Sequence, residues 1–505
     1  MNVDTHEVLR TAAWMAVAVG VYELIRSAVV GAASRRIQRH GERYLRDKNI
    51  RLDRYKFAGR AYVKTEILND PDMIRRIGES AKEQGKSFEA VRNDVETWLD
   101  EIVPAFNTFA YYRFGYVMAR TVLNFIFEVQ VDEPSLAAAR KKIPPDAAVV
   151  YVFNHRSNAD FIFASVALAS SIAISYAVGE WARVWPLDAL FRRFGAYFVR
   201  RGFKNPLYHA VLAKYVQLIV RRGVTQGVFP EGGLSRDGKL REPKLGILEY
   251  IATLRADPEF RHDVVFVPVG LNYDRVLEDR SLLAEASGGV QLGKDTLASR
   301  LRTLWLIARR LPLTLTTNAF RAATGRTGRY GYAAVSFGAP VSLSSFLSAL
   351  GEDVFALPQE ERRERIRRFA EILMAEIGRR VPATPATVVA LACSHGASPV
   401  SLRDLRVRVT EELAKMRGAG RFLAHGREFA HIDAGWARLA GGEDRRHELL
   451  AEETAMIAGD EAELTTRLGV EFLVRRGALK KQGDQLFVGA AEMLAYYARS
   501  LDRAV

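Results

Sequence analysis

Short apolar runs alternate with longer amphipathic stretches through the central part of the chain. The runs are rich in β-branched and aromatic residues and are bounded by glycine, proline or charge, so each predicts a buried strand. They lie at 147–153, 173–179, 195–201, 225–230, 263–273 and 332–338. Between them, stretches such as 160–172 and 205–223 have the length and composition of helices. Strands that alternate with helices predict an α/β domain built on a mixed sheet.

The segments on either side of this domain are predicted to be mostly helical. An apolar and aromatic stretch at 104–130 predicts one long helix, placed in a core or against a membrane, and 381–388 predicts a linker. GALKKQGDQLFVG near the end predicts a β-hairpin with a Gly-Asp turn. The predicted organisation is an N-terminal membrane-associated helix at 1–45, a helical region at 46–130, the α/β domain at 131–345, a helical linker at 346–384 and a C-terminal helical domain at 385–505.

The N-terminal segment combines apolar runs with positive charge. Its runs at 11–22 and 27–33 are too short for a helix that spans a bilayer, and Asp4 and Glu7 do not fit a signal peptide. We expect a helix that lies on a membrane surface or dips into it, followed by three arginines that bind anionic head groups. An ordinary buried helix is the alternative.

The net charge of +14 favours an anionic partner, which could be nucleic acid, a lipid head group or a phosphorylated small molecule. Residues 297–330 hold seven arginines and no acidic residue, with apolar residues interleaved. This pattern fits a basic membrane-surface element and a basic helix packed on the domain equally well. The single cysteine, Cys393, excludes a disulfide framework and is expected in the core.

The stretch FNHRSNAD, residues 153–160, has the residue types of a proton-transfer pair. His155 is predicted in the loop after a strand, where ligands of open α/β sheets bind, and Asp160 in the first turn of the next helix. A carboxylate bonded to one ring nitrogen fixes the tautomer and leaves the other nitrogen to take a proton from a hydroxyl. The alternative is a capping box of Ser157 and Asp160, which needs no catalysis.

Three further stretches also follow predicted strands. GAYFVRR ends in Arg200 and Arg201, whose guanidinium groups could bind phosphate, although a surface cluster is the alternative. FPEGGLSR is a glycine-rich loop that could bring backbone N–H groups to an anion, and a polar hairpin loop is its alternative. VPVGLNYDR places Pro268 inside a strand, which predicts a sheet edge or a bulge. The H-E-x-x-H, paired C-x-x-C and G-x-S-x-G signatures are absent from the sequence, and no metal is expected.

NHRSNAD, GAYFVRR, FPEGGLSR and VPVGLNYDR stand in this order over residues 147–275. Together they resemble the four blocks of the glycerophospholipid acyltransferase superfamily, in particular its glycerol-3-phosphate 1-O-acyltransferase and dihydroxyacetone-phosphate acyltransferase branch. PATVVALACSHG and AYYARS are more loosely similar to the C-terminal region of that branch.

The resemblance implies a role for each matched residue. His155 would be the general base and Asp160 its orienting partner, while Arg200 and Arg201 would lie at the phosphate site. Pro268 matches a block that concerns the acyl donor. The block implicated in acceptor binding is matched by Glu231, Gly232, Gly233, Ser235 and Arg236.

One position departs from the family pattern. That pattern has arginine after the two glycines, whereas this chain has Leu234 there. Leucine cannot pair with phosphate, so one expected positive charge is missing from the block. The acceptor could still be glycerol-3-phosphate, or it could be a related acceptor.

The resemblance implies an enzyme that moves a fatty acyl group from acyl-CoA or acyl-carrier protein to the sn-1 hydroxyl of glycerol-3-phosphate, giving lysophosphatidate. Dihydroxyacetone phosphate and lysophosphatidate are alternative acceptors. A thioester is already activated, so no cofactor beyond the acyl donor is expected. The expected location is the cytoplasmic face of a phospholipid membrane, with no nucleic-acid partner. The non-enzymatic alternative is a basic protein that binds membrane or nucleic acid, with a winged-helix-like C-terminal part.

Overall fold

The computed structural model describes residues 60–104, 116–168, 174–179, 191–192, 195–200, 202–287, 330–396, 398–440 and 447–502. The predicted N-terminal membrane helix and nearly all of the basic segment 297–330 lie outside these residues. No helix in the described ranges is both long enough and apolar enough to cross a membrane.

Two sheets are present in the described residues. The larger has the strand order β1-β7-β6-β2-β5-β3-β4, with β8 also paired to β6, and the smaller has the order β10-β11-β9. The strands are β1 (Glu128–Val131), β2 (Ala148–Phe153), β3 (Ser175–Gly179), β4 (Ala196–Val199), β5 (Gln226–Val228), β6 (Val264–Tyr273), β7 (Tyr332–Phe337), β8 (Val341–Ser342), β9 (Val400–Ser401), β10 (Leu479–Gln482) and β11 (Gln485–Val488).

Helices connect the strands and extend the chain at both ends. Up to the end of the large sheet they are α1 (Arg60–Leu68), α2 (Pro71–Gln84), α3 (Phe88–Ile102), α4 (Tyr116–Ile126), α5 (Glu133–Lys141), α6 (Asp160–Leu168), α7 (Pro206–Arg221), α8 (Gly246–Ala252) and α9 (Asp279–Ala286). Beyond it they are α10 (Leu343–Ala349), α11 (Gln359–Arg380), α12 (Pro385–Ser394), α13 (Leu402–Gly418), α14 (Ala430–Ala440), α15 (His447–Arg476) and α16 (Ala491–Ala498).

The large sheet is mixed, as the sequence predicts. β2 runs parallel to β5 and β6, and β3 runs parallel to β4 and β5, whereas β6 and β7 are antiparallel. All six predicted strands are present, as is the predicted hairpin, formed by β10 and β11. The loops after β2, β3, β4 and β5 therefore leave the sheet at the same edge.

Both faces of the sheet are covered, which explains why every residue of β2 is buried. Alternate side chains point to opposite faces. Tyr151 and Phe153 belong to an apolar cluster shared with α6, α12 and α16, whereas Val150 and Val152 belong to a cluster shared with α3, α7 and α11. Each large apolar side chain buried in this way contributes about 1.5–3 kcal/mol.

The C-terminal region packs against the sheet rather than standing apart from it. One apolar cluster contains Leu271 of β6, Val389 of α12 and Tyr496 of α16. The predicted linker at 381–388 is shorter than expected, because α12 already begins at Pro385 and is buried along nearly its whole length. The segment boundaries of the chain otherwise stay a prediction.

The prediction of a single helix over 104–130 is wrong for its described part. α4 ends at Ile126 and the chain continues as β1. Glu128 to Val131 pair in parallel with Tyr332 to Val335, so this strand depends on a partner far along the chain. Its residues are only half-buried, and they lack the continuous apolar run that reveals the other strands.

Pro268 is not at an edge, contrary to the expectation from the sequence. β6 lies between β2 and β7. On the side of β6 away from β2, the residues from Val269 onward pair with β7, whereas Phe266 and the residue before it pair with β8. Pro268 falls between these two partners, where its carbonyl accepts the N–H of Gly338 at 2.7 Å and no ladder needs its missing N–H.

Candidate active site

Several polar side chains lie in the loops that leave the sheet at one edge. His155 follows β2 and Glu231 follows β5, and these two strands are neighbours in parallel register. Tyr273 is the last residue of β6, on the other side of β2. Strand order therefore brings together residues that are far apart in the sequence.

The His155 and Asp160 side chains form the pair that their spacing predicts. Asp160 Oδ2 lies 2.9 Å from His155 Nδ1. A carboxylate only accepts hydrogen bonds, so Nδ1 carries the proton and Nε2 has a free lone pair. Within the described ranges no residue bonds to Nε2, and the imidazole side chain is 14% exposed. This nitrogen is therefore available to a small ligand.

Asp160 is fully buried, and four donors hold it. Besides the imidazole, its Oδ2 accepts the backbone N–H groups of Arg156 at 2.6 Å and Ser157 at 3.0 Å. Its Oδ1 accepts the hydroxyl of Tyr273 at 2.7 Å. Burial, and then the charge of Asp160, raise the pKa of Tyr273 well above its usual value, so that it donates as a neutral phenol. These contacts fix the position of the carboxylate.

The capping alternative is also partly realised at the start of α6. The Ser157 N–H bonds Asp160 as in a capping box, but the Ser157 hydroxyl donates to Glu278 Oε2 at 2.8 Å. Glu278 also accepts the N–H of Asn158 at 3.2 Å, and burial raises the pKa of its carboxyl. The same residues therefore begin the helix and orient the histidine.

Glu231 joins the histidine loop to the glycine-rich loop. Its Oε1 accepts the N–H of His155 at 2.7 Å, and its Oε2 accepts the N–H of Arg241 at 3.0 Å. Burial raises the pKa of this carboxyl to about 7. A third bond runs from Ser235 N–H to the carbonyl of His155 at 2.9 Å. Glu231 therefore contacts the backbone on both sides and shapes the site.

The remaining residues of the glycine-rich loop have separate surroundings. The Ser235 hydroxyl donates to the Lys239 carbonyl at 2.7 Å and accepts from Gly238 N–H at 3.1 Å, so it stabilises the turn. Gly232 has φ of +63°, in the region that favours glycine. Arg236 is exposed, with Nε 3.3 Å from a carboxylate oxygen of Glu285 in α9.

The predicted phosphate residues at the end of β4 are only partly placed. Arg200 makes a bidentate pair with Glu101 of α3, with nitrogen–oxygen distances of 2.8 and 2.6 Å. β4 is three strands from β2 in the sheet, a distance of about 14 Å. Arg201 lies outside the described residues.

Arg156 joins the loop that contains His155 to the turn at Gly238 and to α16. It is buried, its Nη1 donates to the carbonyl of Gly238 at 2.8 Å, and its guanidinium lies 5.0 Å from the ring centre of Tyr496. Gly238 packs so closely on the Tyr496 carbonyl that a Cβ would lie 2.0 Å from that oxygen. The C-terminal helix α16 is therefore in contact with the loop that carries the site.

The sequence did not assign a role to Tyr273, Glu278 or Arg241. Tyr273 ends the strand containing Pro268 and Glu278 follows it, and a cluster of polar residues at the end of a long buried run was the available signal. Among the residues that the structure describes, no group of three or more His, Cys, Asp or Glu side chains is arranged to hold a metal ion. The expectation that no metal is needed stays a prediction.

Comparison with known families supports the resemblance drawn from the four blocks. Residues 137–272 match the family model described as Acyltransferase, and residues 316–431 match the one described as Glycerol-3-phosphate acyltransferase C-terminal region. The first match contains His155, Asp160 and Glu231. The resemblance to this family is confirmed.

Curated relatives carry the name glycerol-3-phosphate acyltransferase. The protein of Pseudomonas syringae pv. syringae is 30% identical over 286 residues, which cover 56% of this chain and 31% of the relative. The protein of Aeromonas hydrophila is 28% identical over 349 residues, which cover 67% of this chain and 40% of the relative. The chain thus spans about a third of the length of the curated relatives it matches.

Among solved structures, the 1-acyl-sn-glycerophosphate acyltransferase of Thermotoga maritima matches with a TM-score of 0.28 and 17% identity. That match covers 52% of this chain and 79% of the other.

Proposed function

We propose that this chain, which carries an acyltransferase-family domain at residues 137–272, transfers a fatty acyl group from a thioester to the sn-1 hydroxyl of glycerol-3-phosphate and so forms lysophosphatidate. The donor would be acyl-CoA or acyl-carrier protein. The observation that carries the proposal is the His155–Asp160 pair at the carboxyl edge of the sheet, with a second ring nitrogen that no described residue bonds.

The pair can perform the proton transfers of such a reaction. Nε2 of His155 takes the proton of the acceptor hydroxyl as its oxygen attacks the thioester carbonyl carbon. The tetrahedral intermediate collapses, the carbon–sulfur bond breaks, and the imidazolium returns the proton to the leaving thiolate. Asp160 stabilises the imidazolium through the 2.9 Å contact at Nδ1. Bonds and charges balance without a covalent enzyme intermediate or a cofactor.

Association with the cytoplasmic face of a membrane is part of the proposal. The product is a lipid, and α4 has exposed apolar side chains at Val117, Met118 and Val122 with Arg120 between them. Such a helix can rest its apolar side chains in the interface of a bilayer while arginine contacts the head groups. This surface supports lipid over nucleic acid as the anionic partner.

The test is acyl transfer from labelled palmitoyl-CoA or palmitoyl carrier protein to glycerol-3-phosphate, in detergent micelles. The wild type is compared with His155→Ala and with a matched control, His262→Ala. His262 also lies near a carboxylate, 3.4 Å from Asp146, but it is 54% exposed and precedes β6, at the opposite end of that strand from Tyr273. The proposal expects lysophosphatidate from the wild type and from the control, and none from His155→Ala.

The other outcomes identify the alternatives. If the wild type acylates only dihydroxyacetone phosphate or only lysophosphatidate, the proposed acceptor is wrong and the proposed mechanism is kept. If the wild type acylates none of the three acceptors with either donor, the enzymatic proposal is wrong. Salt-sensitive binding to DNA would then favour the nucleic-acid alternative.

A further inference from the structure

The loop after β5 lacks a cation at one position where the family pattern has arginine. Leu234 occupies that position and is half-buried against the apolar cluster of the sheet. Its side chain cannot contact a phosphate through hydrogen bonds. Any cation that serves this part of the loop must therefore come from elsewhere in the chain.

The guanidinium of Arg241, seven residues after Leu234, lies beside this part of the loop. Its Nη1 lies 3.4 Å from the carbonyl oxygen of Leu234 and 3.1 Å from the point where a Cβ on Gly233 would lie. The guanidinium is thus next to the backbone of Gly233 and Leu234. Its own backbone N–H is bonded to Glu231, whose other carboxylate oxygen holds His155. One buried carboxylate therefore holds the backbone at both the proposed base and this arginine.

The charge of Arg241 is not neutralised by any carboxylate among the residues that the structure describes. Among the described residues, Arg241 and Lys244 form no ion pair with a carboxylate, whereas Arg236 lies near Glu285 and Arg200 pairs with Glu101. Lys244 also approaches the two glycines, with Nζ 3.4 Å from the Cβ position of Gly232. Two uncompensated cations beside small residues form a place where an anion can contact the backbone closely.

We propose that Arg241 binds the phosphate of the acceptor and takes the place of the arginine that Leu234 replaces. This inference rests on the proposed function, because it assumes a phosphorylated acceptor whose hydroxyl is at His155. The planar guanidinium can donate two parallel N–H bonds to phosphate oxygens, and Lys244 adds a second positive charge. Glu231 then sets the separation between the proton acceptor and the phosphate.

The arrangement favours Arg241 over the other candidate arginines. Arg200 directs its Nε and Nη2 at the carboxylate of Glu101, on a strand three places from the strand that precedes His155. Arg236 is 52% exposed and has its Nε directed at Glu285. Arg241 alone of the three is bonded to the same carboxylate as His155.

The test measures KM for glycerol-3-phosphate and for palmitoyl-CoA in the wild type, Arg241→Gln and Arg241→Lys. The matched control is Lys239→Gln, which removes a positive charge from an exposed position of the same loop. Loss of a charge-assisted phosphate contact should raise the KM for glycerol-3-phosphate by about 10- to 100-fold in Arg241→Gln. Arg241→Lys should show a smaller rise. The control, and the KM for palmitoyl-CoA in all variants, should stay within about twofold.

Two further measurements separate a specific effect from damage to the loop. KM does not depend on the fraction of active protein, so partial unfolding of a variant does not imitate the expected result. Leu234→Arg, introduced into Arg241→Gln, should restore part of the affinity for glycerol-3-phosphate. The inference is overturned if the wild type is active and Arg241→Gln leaves that KM within about twofold, or if both KM values rise together.

Calorimetric binding of glycerol-3-phosphate distinguishes failure of the inference from failure of the proposed function. Binding without turnover, weakened by Arg241→Gln and not by Lys239→Gln, would retain the phosphate site and reject the proposed reaction. Turnover by the wild type with unchanged binding in Arg241→Gln would reject the site and keep the reaction. Absence of both binding and turnover in the wild type would reject both.

Discussion

Replacing Asp160 by asparagine should remove a charge from the site while leaving its contacts in place. The amide oxygen can occupy the position of Oδ2 and accept from His155, Arg156 and Ser157, as the carboxylate does. The amide nitrogen then faces the hydroxyl of Tyr273, which can rotate from donor to acceptor. The substitution therefore tests the electrostatic role of Asp160 apart from its role in positioning.

The expected magnitude follows from the distance between the groups. A carboxylate and an imidazolium at about 4 Å attract each other by about 4 kcal/mol at the effective dielectric constant of 20 that suits protein sites. Because some of this attraction is offset by the dipoles that remain, we expect a loss of about 2–4 kcal/mol in the transition state. That is a fall in kcat of about 30- to 1000-fold. The free energy of unfolding should change little, because the substitution removes a buried charge but keeps every hydrogen-bonding position of the side chain.

The assay is single-turnover acyl transfer with glycerol-3-phosphate in excess, combined with thermal unfolding of the same samples. Asp160→Ala, which also removes the contacts, should be both inactive and less stable. The control is Asp146→Asn, at the surface histidine–carboxylate pair. If Asp160→Asn keeps kcat within about threefold of the wild type, the charge has no catalytic role. If it loses stability as Asp160→Ala does, the effect is structural and the electrostatic reasoning is refuted.

Four other substitutions or treatments test particular residues. Tyr273→Phe removes one donor from buried Asp160, so the free energy of unfolding should fall by about 1–3 kcal/mol, which denaturant titration measures. In kinetic assays, kcat should fall while the KM for the acyl donor stays unchanged. Glu231→Gln offers one acceptor to two backbone N–H donors and should be nearly as inactive as Glu231→Ala, which activity and melting temperature will show. Burial raises the pKa of Glu231 from 4.5 to about 7, so the folded chain binds this proton more tightly than the unfolded chain does. The stability that this proton contributes should be fully present below pH 4.5 and should decline as the pH rises to about 7. Glu231→Ala should lose this pH dependence, which unfolding titrations at several pH values will measure. Burial raises the pKa of Cys393 to about 11, so the native thiol should resist a disulfide reagent near pH 8 and react once the chain is unfolded, as absorbance will record.

Local patterns predicted most of the sheet. Strands such as β2 and β6 are buried on both faces, so their apolar runs are continuous and visible in the sequence. β1 was missed because it is half-buried and is stabilised by pairing with β7, which lies about 200 residues away. Propensity over a short window does not contain such a partner. For the same reason Pro268 predicted a sheet edge or a bulge, whereas it lies in a central strand at the point where pairing passes from β7 to β8.

The contacts of the candidate site also fall into local ones, which the sequence predicted, and long-range ones, which it did not. The His155–Asp160 contact joins a strand end to the next helix turn, so their spacing was enough to predict it. Contacts of Asp160 with Tyr273, of Ser157 with Glu278 and of Glu231 with His155 cross between strands. They depend on strand order in the sheet, which the sequence pattern left open. The structure shows Glu231 as a bridge between two loops, and its part in binding the acceptor stays a prediction.

The contact of α16 with the histidine loop has a consequence for how a newly made chain becomes active. A ribosome makes the strand and loop that contain Arg156 long before the helix that contains Tyr496. Until that helix emerges, the guanidinium lacks its aromatic neighbour and the turn at Gly238 lacks the surface on which it packs. We therefore expect growing chains to hold back function until α16 has been made, even though the His155–Asp160 pair is made much earlier.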